Sequence, residues 1–278
     1  PTAQIDSSAQ LGRDVRVGAW TVIGPHVVIG DDSELANHVT IKERVSMGAR
    51  NRLHAGCVVG GDPQDRKYAG EPTECQIGDD NEIREHVTIH RGTGNGGAVT
   101  TIGSNNLLMV GTHIAHDCEI GDSVVIANQV MLAGHVKVEN HVSIGGGVGV
   151  HHYATIGTLS FVGGLARVSR DVPPFMIVEG HPAEVRAVNV IGMLRHDWSQ
   201  GDVDMMKECF RSLFRNTGGG SAQIEELRAR YEACAPIQIL CDAIERSAAG
   251  THGRARERMR RDDKWSAEAQ PNVTSAES

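Results

Sequence analysis

Residues 102–168 read IGSNNLLMVGTHIAHDCEIGDSVVIANQVMLAGHVKVENHVSIGGGVGVHHYATIGTLSFVGGLARV. An aliphatic residue stands at every sixth position: Ile102, Leu108, Ile114, Ile120, Ile126, Leu132, Val138, Ile144, Val150, Ile156, Val162 and Val168. An amphipathic helix would repeat every three to four residues and a half-buried strand every two. A period of six, often with Gly next as at Gly103, Gly121, Gly145 and Gly157, predicts a repeat solenoid instead.

The same period runs upstream through Ile5, Leu11, Val17, Ile23, Ile29, Leu35, Ile41, Met47, Leu53 and Val59, then Ile77, Ile83 and Ile89. The pattern resembles the hexapeptide-repeat family. That resemblance implies an all-β left-handed parallel β-helix of triangular section, with three hexapeptides per coil. Residues 18 apart then stack about 4.8 Å apart along the axis, the usual strand spacing. No coil hides its own core, so the stack is stable only as a whole. Composition agrees. Hydrophobic residues make up 40%, aromatics only 4%, and 33 residues are Gly, which suits a narrow core of Val, Ile and Leu with Gly at tight corners.

Two segments interrupt the repeat. Residues 60–76, GGDPQDRKYAGEPTECQ, keep the phase, because Ile77 lies 18 after Val59. Residues 91–101, RGTGNGGAVTT, shift it by one. Polar, Gly-rich insertions on a solenoid are where function concentrates. The repeat stops after Pro173-Pro174. We expect a β-helix over 1–186, an α-helical C-terminal domain over 187–250 broken at TGGGS (217–221), and a charged, disordered or frayed tail over 251–278.

A formal net charge of −8 disfavours a general nucleic-acid binder. The six cysteines, Cys57, Cys75, Cys118, Cys209, Cys234 and Cys241, form no CxxC pair and read as reduced thiols of a cytoplasmic protein. The opening PTAQIDSSAQ lacks the basic and apolar regions of a signal peptide, and no apolar run is long enough to span a membrane.

The chemistry gathers in the third run. With an 18-residue coil, Asp117 stacks over His135 over Tyr153, and His116 over Gly134 over His152. His113 and His151 lie beside these columns. Three readings compete for them: histidines of a surface or subunit contact, ligands of a zinc ion as in the γ-class carbonic anhydrases built on the same solenoid, or a general base at His116 tuned by Asp117.

The segments RKYAGEPT, TIHRGT, NLLM, THIAHDC, NQVMLAGHV and DVPPFMIVEG resemble the UDP-N-acetylglucosamine O-acyltransferases of lipid A synthesis. The likeness runs over most of residues 1–250. It implies transfer of a 3-hydroxyacyl chain from acyl carrier protein to the sugar 3-hydroxyl. No cofactor is implied beyond the phosphopantetheine arm on the donor, and no metal. By the same resemblance His116 is the general base, Asp117 orients it, and Gly134 donates its backbone N–H to the oxyanion. His113, His135, His151 and His152 would contact the sugar nucleotide. Asp65 and Lys67 would reach it from a neighbouring subunit, and Asn189 and Arg195 would meet nucleotide and phosphate. Gly164 would leave room for a long acyl chain, with Phe161 nearby. The implied assembly is a homotrimer with sites between solenoids.

The sequence also departs from the family. His152 stands where Gln is usual, His181 follows Gly180 where Asn is usual, and Ile191 replaces an acidic residue. The arginines Arg254, Arg256, Arg258, Arg260 and Arg261 have no assigned counterpart; they read as a solvated tail, or as a lure for the acidic carrier protein. A variant acting on a 3-amino sugar nucleotide remains open at this point, as do a zinc hydratase and a non-catalytic scaffold. The related N-acyltransferases carry an extra N-terminal domain, whereas here the repeat begins by Ile5.

Overall fold

The computed structural model describes residues 2–215, 220–250 and 253–255. Short strands, mostly two residues long, wind into three parallel sheets that form the faces of a left-handed prism. The first face has nine strands, from Gln4–Ile5 to Arg167–Val168. The second has eight, from Gln10–Leu11 to Thr155–Ile156. The third has ten, beginning at Arg16–Val17. Successive coils pair in the expected register, Ile114 with Leu132 and Leu132 with Val150.

The six-residue aliphatics point inward. Leu108, Ile114, Ile126 and Leu132 are fully buried, and each contributes about 1.5–3 kcal/mol of burial. A second inward row, among it Val124, Val130, Val136 and Val142, fills the corners of the triangle.

The glycines that follow the aliphatics have a different reason from the one expected. A Cβ at Gly24 would overlap the carbonyl oxygen of Lys42 in the next coil. These glycines permit close stacking of coils. The left-handed corner conformation is carried mostly by polar residues instead, with φ near +60° at His26, Asp117, His135 and Tyr153.

Both insertions leave from one corner, between the first and second faces. The first lies between strands Val58–Gly61 and Glu74–Ile77, and the second between Thr88–His90 and Val99–Ile102. Val59 pairs with Ile89 and Ile77 with Ile102, so each insertion lengthens the coil that carries it. Ile77 therefore does not stack on Val59, although the six-residue phase is kept; it lies in the second face, between Met47 and Ile102.

The solenoid ends in a hairpin. Met176–Gly180 adds to the third face and Ala183–Val188 pairs with it antiparallel. Among the described residues four α-helices follow: α1 (Val190–Arg195), α2 (Gln200–Phe210), α3 (Ser221–Arg230) and α4 (Ala235–Ala248). Their core of Met193, Val203, Met206, Leu240 and Cys241 packs on Leu159 and Phe175 of the last coils. Of the expected tail over 251–278, only residues 253–255 are among the described residues. They form a short turn seated on the last coil, with Arg254 half-buried. Arg256, Arg258, Arg260 and Arg261 lie outside the described residues.

Leu132 sits mid-stack with no exposed surface. Leu132→Ala leaves a cavity that neighbouring coils cannot close. We expect a loss of about 2–5 kcal/mol, read as a lower urea midpoint.

Candidate active site

The first corner carries the His column, because each coil turns there through a left-handed residue. Asp117 (φ 59°), His135 (φ 62°) and Tyr153 (φ 65°) hold that position in successive coils. His135 and Tyr153 stack face to face, with centroids 4.4 Å apart and planes 3° apart. His116 meets His135 edge-on at 5.2 Å.

Asp117 is the hub. Its side chain is 1% exposed. Oδ1 accepts the Thr93 N–H at 2.8 Å. Oδ2 accepts the Thr93 hydroxyl and His116 Nδ1, each at 2.7 Å. The Asp117 N–H donates to Thr100 Oγ1 at 2.8 Å. A carboxylate can only accept, so His116 donates Nδ1–H and keeps Nε2 as its basic nitrogen. A buried carboxylate with this many donors orients a base firmly.

His116 lies over Gly134. A Cβ at position 134 would fall 2.5 Å from Cε1 and 2.7 Å from Nε2 of that ring. The Gly134 N–H takes no partner among the described residues. A backbone N–H and a basic nitrogen thus lie against each other on adjacent coils, the two groups that acyl transfer to a hydroxyl requires.

His113 lies one turn of chain away on the first face, where its Nδ1 pairs with Thr88 Oγ1 at 2.8 Å and its ring meets His90 at 4.9 Å. Burial pushes His90 down to about 4, helped by the neighbouring His113. Burial also lowers His113. Both rings are thereby kept neutral. His151 and His152 continue the column at its far end, their centroids 3.9 Å apart.

His116, Asp117 and His135 also present ligand atoms within 4.8 Å of one another, a geometry that invites a metal. His135 Nε2 is 3.8 Å from Asp117 Oδ2. However, both Asp117 oxygens are engaged by Thr93 and His116. A metal would have to break these bonds, so the donor set fits a base and its orienter better than a cation. Cys118, next in sequence, points into the core, where burial pushes its thiol up to about 12, so it is no nucleophile.

Other expected residues lie elsewhere in the chain. Asp65 and Lys67 sit on the first insertion, where Asp65 Oδ1 accepts the Lys67 N–H at 2.9 Å. Asn189 caps α1, accepting from Gly192 N, and donates to the Leu159 carbonyl at 2.8 Å. His196, just past Arg195, lies against His141 at 4.4 Å. Leu159 and His141 belong to the second corner, so α1 is remote from the His column of its own chain. Gly164 and Phe161 lie at the third corner and third face. A Cβ at Gly164 would meet only Gly146, at 3.4 Å or more, so a larger side chain fits there.

Several contributors escaped the sequence reading. Thr93 and Thr100, at the two ends of the second insertion, bind Asp117. Gly96 lies so close that a Cβ there would overlap that carboxylate. Arg91 is buried at 2% exposure and ties the two insertions together. It donates to Gly60 O (2.7 Å), Asp62 Oδ1 (2.5 Å) and Tyr68 Oη (3.1 Å). The available signal was that Arg91 is the sole charge in RGTGNGGAVTT.

Comparison with known proteins bears on this arrangement. Residues 171–252 match the family described as Udp N-acetylglucosamine O-acyltransferase, domain 2. Residues 8–43 and 100–134 match the bacterial transferase hexapeptide. The acyl-[acyl-carrier-protein]–UDP-N-acetylglucosamine O-acyltransferase of Syntrophobacter fumaroxidans is 42% identical over 90% of this chain and 97% of its own. The chain belongs to the UDP-N-acetylglucosamine O-acyltransferase family.

Solved members of this acyltransferase family share the architecture. The Moraxella catarrhalis enzyme superposes with a TM-score of 0.86 at 41% identity, covering 89% of this chain and 96% of that one. An Arabidopsis member still superposes at 0.78 with 32% identity, over 89% of this chain and 96% of that one.

The neutral pocket of His90 makes stability depend on pH. Its folded value of about 4 lies below the ordinary value of about 6.5, so between these the unfolded chain binds the extra proton. Stability should fall as pH drops from about 6.5 toward 4. His90→Asn should flatten that part of a melting-temperature profile; an unchanged slope would place the titrating group elsewhere.

Proposed function

We propose that this protein transfers a 3-hydroxyacyl chain from acyl carrier protein to the 3-hydroxyl of UDP-N-acetylglucosamine, the first step of lipid A biosynthesis. The observation that carries the reading is the His116 ring, pinned through Nδ1 by Asp117 and laid against Gly134. His116 Nε2 takes the proton of the sugar hydroxyl as its oxygen attacks the thioester carbonyl. The Gly134 N–H receives the oxyanion of the tetrahedral intermediate. Collapse expels the phosphopantetheine thiolate, and protonated His116 returns the proton to it. No metal and no separate cofactor enters this sequence; the pantetheine arm arrives on the donor.

His113, His135, His151 and His152 line the first corner and bind the sugar nucleotide. Asp65, Lys67, Asn189 and Arg195 complete the site from neighbouring copies. Support for a homotrimer comes from geometry: α1 lies at the second corner and the acyl pocket of Gly164 and Phe161 at the third, so one chain does not bring them to His116. Among the described residues no helix is long and apolar enough to cross a membrane. A carrier-borne donor and a nucleotide sugar are substrates of the cytoplasm, which supports a cytoplasmic reaction.

The test is transfer from 3-hydroxymyristoyl carrier protein to radiolabelled UDP-N-acetylglucosamine. Wild type should form product, and His116→Ala should lose about 10² or more in rate. No product at any chain length would overturn the reading. Gly164→Met should shift preference toward shorter donors, since space at that position is open; an unchanged long-chain preference in a competition assay would remove Gly164 from the acyl pocket.

A further inference from the structure

The last turn of the solenoid at the first corner is cut short. From Val150 to Ile156 the chain takes a full hexapeptide, yet these two residues pair with Val168 and Val172, which stand closer together in sequence. The corner of Ser169, Arg170 and Asp171 is therefore shorter than the corner of a regular coil.

That shortening changes the carbonyl ladder at the site. In the column above, the His116 carbonyl accepts from His135 N at 3.0 Å, and the Gly134 carbonyl from Tyr153 N at 3.2 Å. The His152 carbonyl is next in line. Nη1 of Arg254, from the far end of the chain, donates to it at 3.3 Å. Arg254 Nε also donates to Ser169 O at 3.2 Å, and its backbone N–H to Asp171 Oδ1 at 2.9 Å. Asp171 in turn holds Thr155 N at 2.9 Å and Ser247 Oγ on α4. Gly253, with φ +65°, is required there: a Cβ would overlap the Asp171 carboxylate.

The same carbonyl governs a ring. His151 Nδ1 contacts His152 O at 3.4 Å, and a carbonyl only accepts, so this contact uses Nδ1–H of His151. His152 meets Tyr153 edge-on at 5.6 Å, and Tyr153 stacks on His135. A fixed His152 carbonyl thus braces the His151 ring through Nδ1 and the end of the ring ladder leading to His116.

We propose that Arg254 is a positioning residue for substrate: its guanidinium bridges the cut corner, from Ser169 O to His152 O, and holds the His151–His152 edge in the form that recognises the sugar nucleotide. The proposal rests on the reading that these two histidines contact that nucleotide. The planar fork serves two carbonyls at once, which a lysine ammonium cannot reproduce.

The experiment compares wild type, Arg254→Ala and Arg254→Lys by calorimetric binding of UDP-N-acetylglucosamine, by steady-state kinetics and by melting temperature. We expect Kd and KM for the nucleotide to rise about 5- to 20-fold in Arg254→Ala, with kcat within about twofold and the lysine variant intermediate. Nucleotide affinity within twofold of wild type would overturn the proposal, whatever happens to the melting temperature. A lowered melting temperature with unchanged KM would leave Arg254 as a fastener of the C-terminal turn and nothing more. Wild type that binds the nucleotide without transferring acyl would sink the proposed reaction, yet the binding comparison would still decide Arg254. Wild type that binds no nucleotide would defeat both.

Discussion

Coil-to-coil register is the constraint on which everything else rests. Parallel pairing between successive coils repeats each chemical position directly above the last, so a corner residue in one coil is the neighbour of the corner residue in the next. Backbone hydrogen bonds alone would tolerate a slip. The close contact at positions such as Gly24, where any side chain would strike the next carbonyl, and the inward aliphatics together do not. A shift of one residue would turn the whole aliphatic row outward. Precision at the site is inherited from this register: His116 meets Gly134 because the two hold equivalent positions in adjacent coils.

Asp117 converts that register into chemistry. A lone buried carboxylate is costly, and here it is satisfied by an amide, a hydroxyl and an imidazole. Two of those donors belong to Thr93, which reaches the corner because the second insertion folds back with Gly96 pressed against the carboxylate. The insertion is thus no decoration on the solenoid. Arg91, at its base, reaches Gly60, Asp62 and Tyr68 of the first insertion, so both loops and the base are tied into one hydrogen-bonded unit. Disturbing any member should be felt at His116.

The fold was legible because a six-residue period has no competitor among helices and simple strands, and the stacking of His116 on Gly134 and of Asp117 on His135 followed from arithmetic alone. Insertions were harder. Their ends are visible as lost period, but which corner they leave from depends on the pairing of Val59 with Ile89, a distance in space that the phase does not reveal. The role of the corner glycines was misplaced for a related reason. Gly24 and its equivalents look like turn residues in one dimension, whereas the steric demand comes from a neighbouring coil. Thr93 and Arg254 were invisible as partners of the column because each is brought there by a segment without repeat.

Separation of the remaining residues carries its own argument. A narrow triangular prism with a filled interior has no room for a pocket, so a substrate as large as an acylated nucleotide sugar must lie along an outer surface. One flat edge supplies few contacts, and here the His column, α1 and the Gly164 surface sit at three different corners. A prism packed beside two copies of itself turns each edge into one wall of a groove and presents different corners to the same space. The corner that carries His116 also carries both polar insertions, whose charged residues Asp65 and Lys67 extend away from the solenoid axis. Under the proposed reaction, catalytic competence would then belong to the assembly, with the register within each chain setting the proposed base and the contact between chains setting the substrate.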